Sequence, residues 1–139
     1  MPPLSRWYIK TAIVYLVAAL VVGVALAARP AVGLPSFVAS LGPAYLHLLS
    51  VGWITQMIFG VAYWMFPRLS RERPRGSGSA ALATYLMLNC GLVLRALAEP
   101  ADTLGGGAVW DWLLTLSATL QWGAGLIFAL NIWGRVKEK

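Results

Sequence analysis

Four long runs of apolar residues divide the chain, and short stretches rich in proline, glycine or charge separate them. The runs cover residues 8–28, 44–66, 80–97 and 109–133. A helix needs about 20 mostly apolar residues to cross the hydrocarbon core of a bilayer. Because all four runs are close to that length, the pattern predicts four transmembrane helices.

The composition strengthens this interpretation. Hydrophobic residues make up 59% of the 139 residues and charged residues only 12%. A soluble domain of ordinary composition has about 45–50% apolar and about 25% charged residues. We therefore predict an all-α fold, a single integral membrane four-helix bundle over residues 1–139.

The first run allows two interpretations. Arg6 and Lys10 precede it, and the small residues before Arg29 resemble the cleavage site of a signal peptide. Its length suits a spanning helix, so we expect a retained first helix. Prolines and glycines from Pro30 to Pro35 are expected to end that helix, with a short turn around Ser36–Leu41 before the second.

The basic residues indicate an orientation. If the chain crosses four times, one side of the membrane receives most of them: Arg6, Lys10, Arg68, Arg71, Arg73, Arg75, Arg135, Lys137 and Lys139. The other side receives Arg29 and, near a helix end, Arg95. The positive-inside rule then predicts cytoplasmic termini in a bacterial inner membrane. The net charge is +6, and we expect the basic residues to contact the headgroups of the lipid bilayer. We expect no nucleic acid as a partner.

Two residues with possible metal chemistry stand alone. Cys90 has no second cysteine with which to bind zinc, and we expect it to pack as a small buried hydrophobe. His47 lies near the start of the second run, where an ionisable group is costly unless it faces protein or a cofactor. Imidazole is a common haem ligand, and a hydrogen-bonded core histidine is the alternative.

The residues around His47 resemble a known helix. The segment Tyr45-Leu46-His47, with the later residues Ser50, Gly52, Gly60, Trp64, Phe66 and Pro67, resembles the tenth helix of the haem–copper oxidase catalytic subunit. The nitric oxide reductase and C-family oxidase branches are the most similar. The resemblance implies that His47 is an axial ligand of low-spin haem. It also implies that Tyr45 replaces the ligand of the high-spin haem.

Residues two apart on a helix are about 200° apart around its axis, so Tyr45 and His47 are expected on opposite faces. The three further histidines of the family's copper site are missing. We therefore expect no oxygen or nitric oxide reduction by this polypeptide alone. We include Tyr45, together with His47, among the residues of the predicted haem site.

A weaker resemblance involves Arg95. The segment Gly91–Arg95 is similar to the end of the family's next helix, where arginines hold haem propionates. This implies that Arg95 is a cofactor-binding residue. The alternatives are an ion pair with Glu99, four residues later, or extension of the side chain to the headgroups.

Low-spin haem needs two axial ligands, and the chain has one histidine. We expect a twofold homodimer in which both copies of His47 bind one shared haem. Met57 and Met65 lie at the wrong height on the same helix, so Met87 is the remaining thioether alternative. Since no Cys-x-x-Cys-His is present, the expected cofactor is non-covalent haem b.

Other polar and small residues are assigned to packing. Gly52, Gln56 and Gly60 recur every fourth residue, a spacing that allows close approach of helices in membranes. Asn89, Gln121 and Asn131 are candidates for hydrogen bonds between helices. Asp111 is expected at the start of the fourth helix.

The predicted function is electron transfer with an unknown redox partner in a respiratory chain, or haem-based sensing or storage. The alternative, from a different class, is a haem-free structural or accessory subunit of a respiratory membrane complex. A small transporter has little support, because no acidic residue lies clearly in the middle of a span.

Overall fold

The computed structural model of the chain describes residues 1–70 and 74–136. Four helical spans are present. They are α1 (Pro3–Val32), a composite second span (Ser36–Met65) that contains α2 and α3, α4 (Gly78–Thr103) and α5 (Ala108–Trp133). Each is long and apolar enough to cross a membrane. The all-helical prediction and its four spans are confirmed for these residues. Four of the basic residues used for the orientation lie outside the described residues: Arg71, Arg73, Lys137 and Lys139.

The second span changes its helical form along its length. A 3₁₀ turn at Ser36–Leu41 leads into α2 (Gly42–His47), followed by a π-helical segment (Leu48–Thr55) and then α3 (Gln56–Met65). In the π-helical segment, the Thr55 hydroxyl donates to the carbonyl of Ser50, five residues earlier, at 2.9 Å. π-helices are rare and are found mostly as single turns, frequently at functional sites.

Two helices are longer than the sequence indicates. α1 continues through Pro30 and ends at Gly33, whose φ of 67° stops the helix. α4 continues through Pro100 to Thr103, before Gly105 with a φ of 97°. Each proline removes one backbone hydrogen bond to the carbonyl four residues earlier, and the helix continues past it for less than one turn. The left-handed glycines, and not the prolines, set these two boundaries.

The helices are arranged so that both termini lie at one end of the bundle. The Tyr8 hydroxyl of α1 donates to the carbonyl of Ala81 at the start of α4, at 3.0 Å. Arg135, beyond the end of α5, donates from Nε to the carbonyl of Pro67 after α3, at 3.0 Å. We call this the terminal end, and the opposite one the His47 end.

Small residues bring α1 close to the second span. A Cβ atom on Gly60 would lie 2.6 Å from Cβ of Tyr8, and one on Gly52 would lie 2.8 Å from side-chain atoms of Tyr15 and Leu92. Gln56, between these glycines, is fully buried. Such close contacts replace the hydrophobic driving force that is missing between helices in lipid. The predicted packing role of the three residues is therefore confirmed within one chain.

Polar side chains join α4 and α5. The Ser117 hydroxyl donates to the carbonyl of Gly91 at 2.7 Å, and Asn131 exchanges two hydrogen bonds with the backbone of Ser77. Of the other predicted contacts, Gln121 donates to Ser117 and Asn89 donates to Tyr85, both within their own helix.

The prediction of a buried Cys90 is wrong, because its side chain is exposed on the outer face of α4. Asp111 lies in the first turn of α5, where its charge suits the helix dipole.

Candidate functional site

Tyr45 and His47 lie on opposite sides of α2, as their spacing predicts. The Tyr45 ring packs against Gly23 of α1, where a Cβ atom would come within 3.0 Å of Cε2. It borders the buried cluster of Ala19, Leu48 and Leu92. His47 instead faces α4. Tyr45 therefore contributes to the contact between helices, and His47 faces the carboxylate of Glu99.

The imidazole of His47 is held through one of its two nitrogens. Nδ1 lies 3.0 Å from the carbonyl oxygen of Pro43, one turn earlier in the chain. The same nitrogen lies 3.3 Å from Oε1 of Glu99 on α4. A carbonyl oxygen can only accept a hydrogen bond, so Nδ1 carries the proton and donates. In the neutral ring, the lone pair then remains on Nε2.

Glu99 connects His47 to Arg95. Nε of Arg95 donates to Oε1 of Glu99 at 2.8 Å, so one carboxylate oxygen faces both the guanidinium and the imidazole. Glu99 is only 8% exposed, and its other oxygen, Oε2, is buried without a hydrogen-bond partner in the described chain. A buried carboxylate is costly unless a charge compensates it, and Arg95 provides that charge.

The length of α4 brings Glu99 to this position. The glycine-rich sequence around it suggests a connection from residue 98 onwards, whereas the helix continues past it to Thr103. The Thr103 hydroxyl donates back to the carbonyl of Glu99 at 2.8 Å. Of the alternatives left open for Arg95, the structure contains the ion pair with Glu99. The sequence feature that indicated this ion pair was the spacing of four residues between two opposite charges.

Sequence reasoning did not identify Glu99 as a neighbour of His47. The two residues are on different spans, and their contact depends on how α2 is rotated relative to α4. No pattern within either helix specifies that rotation. The acidic residue at the end of an apolar run was a weak signal, because intramembrane carboxylates are rare and often functional.

Arg29 is a further polar residue at the His47 end. Its Nε atom is buried and has no hydrogen-bond partner among the described residues. It belongs to the last turn of α1, and the sequence suggested only a loop there. Two buried groups at this end, Arg29 Nε and Glu99 Oε2, therefore have unused hydrogen-bonding capacity.

The arrangement around His47 resembles the outer part of a metal site. A histidine that binds a metal usually donates its other ring N–H to a carboxylate or a backbone carbonyl, and these contacts fix the tautomer and orient the ring. His47 has both types of acceptor at Nδ1. Its side chain is 29% exposed, so a group outside the bundle can reach it.

Within residues 1–70 and 74–136, no second axial ligand lies near His47. Met87 lies twelve residues before Glu99 on α4, which corresponds to about 18 Å along the helix. Its methyl group also packs against Gly123 of α5. Among the residues that the structure describes, no three His, Cys, Asp or Glu side chains form a group able to hold a metal ion.

Comparisons with protein-family models, with curated proteins and with solved structures found no match to this chain. The contacts of His47 and the membrane-spanning fold are therefore the features that point to a function.

Proposed function

We propose that this multi-pass membrane protein binds b-type haem through Nε2 of His47 and takes part in electron transfer. The single observation that supports the proposal is the environment of Nδ1. Its proton is held by the Pro43 carbonyl beside the Glu99 carboxylate, and the lone pair of Nε2 is left for a metal. The resemblance of the segment from Tyr45 to Pro67 to an oxidase haem helix points to the same cofactor.

The residues of the site have separate tasks in this proposal. Pro43 and Glu99 keep the His47 ring in one tautomer and one orientation. Arg95 balances the charge of Glu99, and Tyr45 fixes α2 against α1. A haem with two axial ligands supplies one-electron transfer between ferric and ferrous iron. If the haem iron lacked its second axial ligand, the site would suit sensing instead.

A homodimer supplies the second ligand in the simplest way. A twofold axis places two copies of one residue on either side of a shared group, so a single histidine per chain is sufficient. The partial exposure of His47 fits a haem shared at the outside of each bundle. The proposed location is a bacterial inner membrane, with both termini cytoplasmic and His47 towards the outer face.

The test is the absorption spectrum of protein purified from cells supplied with haem. We expect a low-spin b-type spectrum that shifts on reduction with dithionite and one haem for two chains. The His47→Ala variant should lose this spectrum and retain its helical circular dichroism and its elution volume. Met87→Leu should leave the spectrum unchanged. A spectrum that survives His47→Ala would contradict the proposal.

One observation favours the second candidate, a haem-free accessory subunit. Arg95 already has a partner in Glu99, and the His47–Glu99–Arg95 contacts can be viewed as a stabilising polar connection between α2 and α4. In that case the purified protein would be colourless and would bind no added haem. His47→Ala would then lower stability without changing any spectrum.

A further inference from the structure

A cavity at the terminal end of the bundle is lined by arginines. Its volume is about 350 Å³, and Arg68, Arg75 and Arg135 contribute to its wall together with Trp64, Pro67 and Pro74. We call it the arginine cavity. None of the described residues that line it is acidic. Three positive charges, with no negative one among the described residues of the wall, favour an anionic ligand.

Arg135 gives this wall a fixed position. Its side chain is 1% exposed, and its guanidinium donates to the backbone carbonyls of Tyr63, Phe66 and Pro67 at 2.7–3.1 Å. Burial lowers the pKa of Arg135, and the positive charge of Arg75 adds to that effect. A negative group bound between these arginines would relieve their repulsion. Arg68 and Arg75 are exposed and able to contact it.

An apolar groove lies beside this cavity and runs along α3 towards the middle of the span. It has a volume of about 550 Å³ and is lined by Met57, Ile58, Val61, Ala62, Met65 and Phe66. Met65 and Phe66 also line the arginine cavity, so the two spaces lie next to each other at these residues. From Met57 to Met65 the groove extends about 12 Å along α3.

We propose that this combined site binds one anionic phospholipid, with its phosphate in the arginine cavity and an acyl chain in the apolar groove. The order of the two parts matches an amphiphile in a bilayer: the charged part lies beyond the end of α3 and the apolar part lies along the span. Basic residues near the end of a transmembrane helix attract anionic lipids. The proposal does not depend on haem binding.

Native mass spectrometry of the protein in detergent tests the site. The protein is titrated with dioleoyl phosphatidylglycerol, dioleoyl phosphatidylcholine or oleate, and the apparent Kd of the first adduct is measured. We expect phosphatidylglycerol to bind at least about tenfold more tightly than phosphatidylcholine. Equal affinity of the two phospholipids, or equally tight binding of oleate, would overturn the proposal.

Matched variants assign the binding to the two spaces. Replacing both Arg68 and Arg75 by Gln should weaken phosphatidylglycerol binding about thirtyfold. Replacing Arg6 and Lys10 by Gln removes the same charge at the same end and should change the Kd less than about twofold. Equal losses in the two double variants would indicate unspecific attraction and overturn the site.

The apolar groove has its own control. Ile58 is 56% exposed and lines the groove, whereas Leu86 on α4 is 51% exposed and lies outside it. Ile58→Trp should fill the groove and weaken binding, and Leu86→Trp should not. Unchanged binding in Ile58→Trp, with the protein folded, would contradict the assignment of the acyl chain.

Discussion

Nδ1 of His47 and Oε1 of Glu99 lie 3.3 Å apart, although the two residues belong to different transmembrane spans. The contact gives the lone histidine an acidic neighbour at the same depth in the membrane. It also links the two spans through groups that are expensive to place in lipid without each other. This relationship supports the haem proposal and can be tested separately from His47.

Glu99→Gln tests whether the carboxylate tunes a bound haem. The amide keeps an acceptor near Nδ1 but removes the negative charge, so we expect haem affinity to fall about 10–100-fold. The midpoint potential of the remaining haem should rise, because a negative charge near the iron favours the ferric state. Haem titration and redox titration measure the two effects.

The matched control for this change is Asp102→Asn, which removes one negative charge from the same end of α4. It should leave both affinity and potential nearly unchanged. If Glu99→Gln lowers thermal stability but leaves the midpoint potential of the haem where it was, Glu99 has only a structural role.

Arg135→Ala tests the connection between α5 and the end of α3. The change removes the donors that satisfy the carbonyls of Tyr63, Phe66 and Pro67. Hydrogen bonds to charged groups contribute about 1.5–3 kcal/mol each and are not additive, so we expect a loss of about 2–4 kcal/mol. Unfolding in mixed micelles with increasing SDS measures the loss.

Arg6→Ala is the comparison for Arg135, because Arg6 is an exposed arginine at the same end of the bundle. Its effect on stability should stay within about 0.5 kcal/mol. Similar losses in the two variants would show that the loss of positive charge, and not the loss of the carbonyl contacts, destabilises the protein.

Gly60→Ala tests the close contact between α1 and α3. The new methyl group would lie 2.6 Å from Cβ of Tyr8, so the helices must separate. Overpacking of this kind costs about 1–3 kcal/mol. Gly125→Ala is the control, since no atom beyond its chain neighbours and the backbone of its own helix lies within 4 Å of a Cβ there, and alanine favours a helix. Gly125→Ala should stabilise the protein slightly under the same SDS titration, and a loss equal to that of Gly60→Ala would contradict the contact.

Cysteine labelling tests the proposed orientation. In a Cys90→Ser background, Gly107→Cys places a thiol in the open connection between α4 and α5, and Ser79→Cys places one in the first turn of α4 at the terminal end. In intact cells, a membrane-impermeant maleimide should label the first variant and not the second. The reverse pattern would place both termini outside.

The sequence was sufficient for the number of spans, because an apolar run of sufficient length has few other outcomes in a chain with so little charge. It also located the short turn at Ser36–Leu41 and the close packing of Gly52 and Gly60. These features depend on local composition or on spacing within one helix. They require no knowledge of how the spans are rotated against one another.

Four features could not be predicted from local composition or spacing. The π-helical segment at Leu48–Thr55 has no distinct composition. The ends of α1 and α4 depend on left-handed glycines beyond prolines that would ordinarily be taken as boundaries. The exposure of Cys90 and the contact of Glu99 with His47 are both determined by helix rotation, which results from packing across the whole bundle.

The π-helical segment has a consequence for how the second span combines two requirements. Each residue of a regular α-helix advances the direction of the side chains by about 100°. The wide turns of the π-helical segment hold about one residue more than α-helical turns would, so the same residues in regular α-helical geometry would turn α2 against α3 by about that angle. His47 would then face Glu99, or Gly60 would face Tyr8, but a uniform helix would not satisfy both. The wide turns allow His47 and the packing surface of Gly60 to be oriented independently on one continuous span.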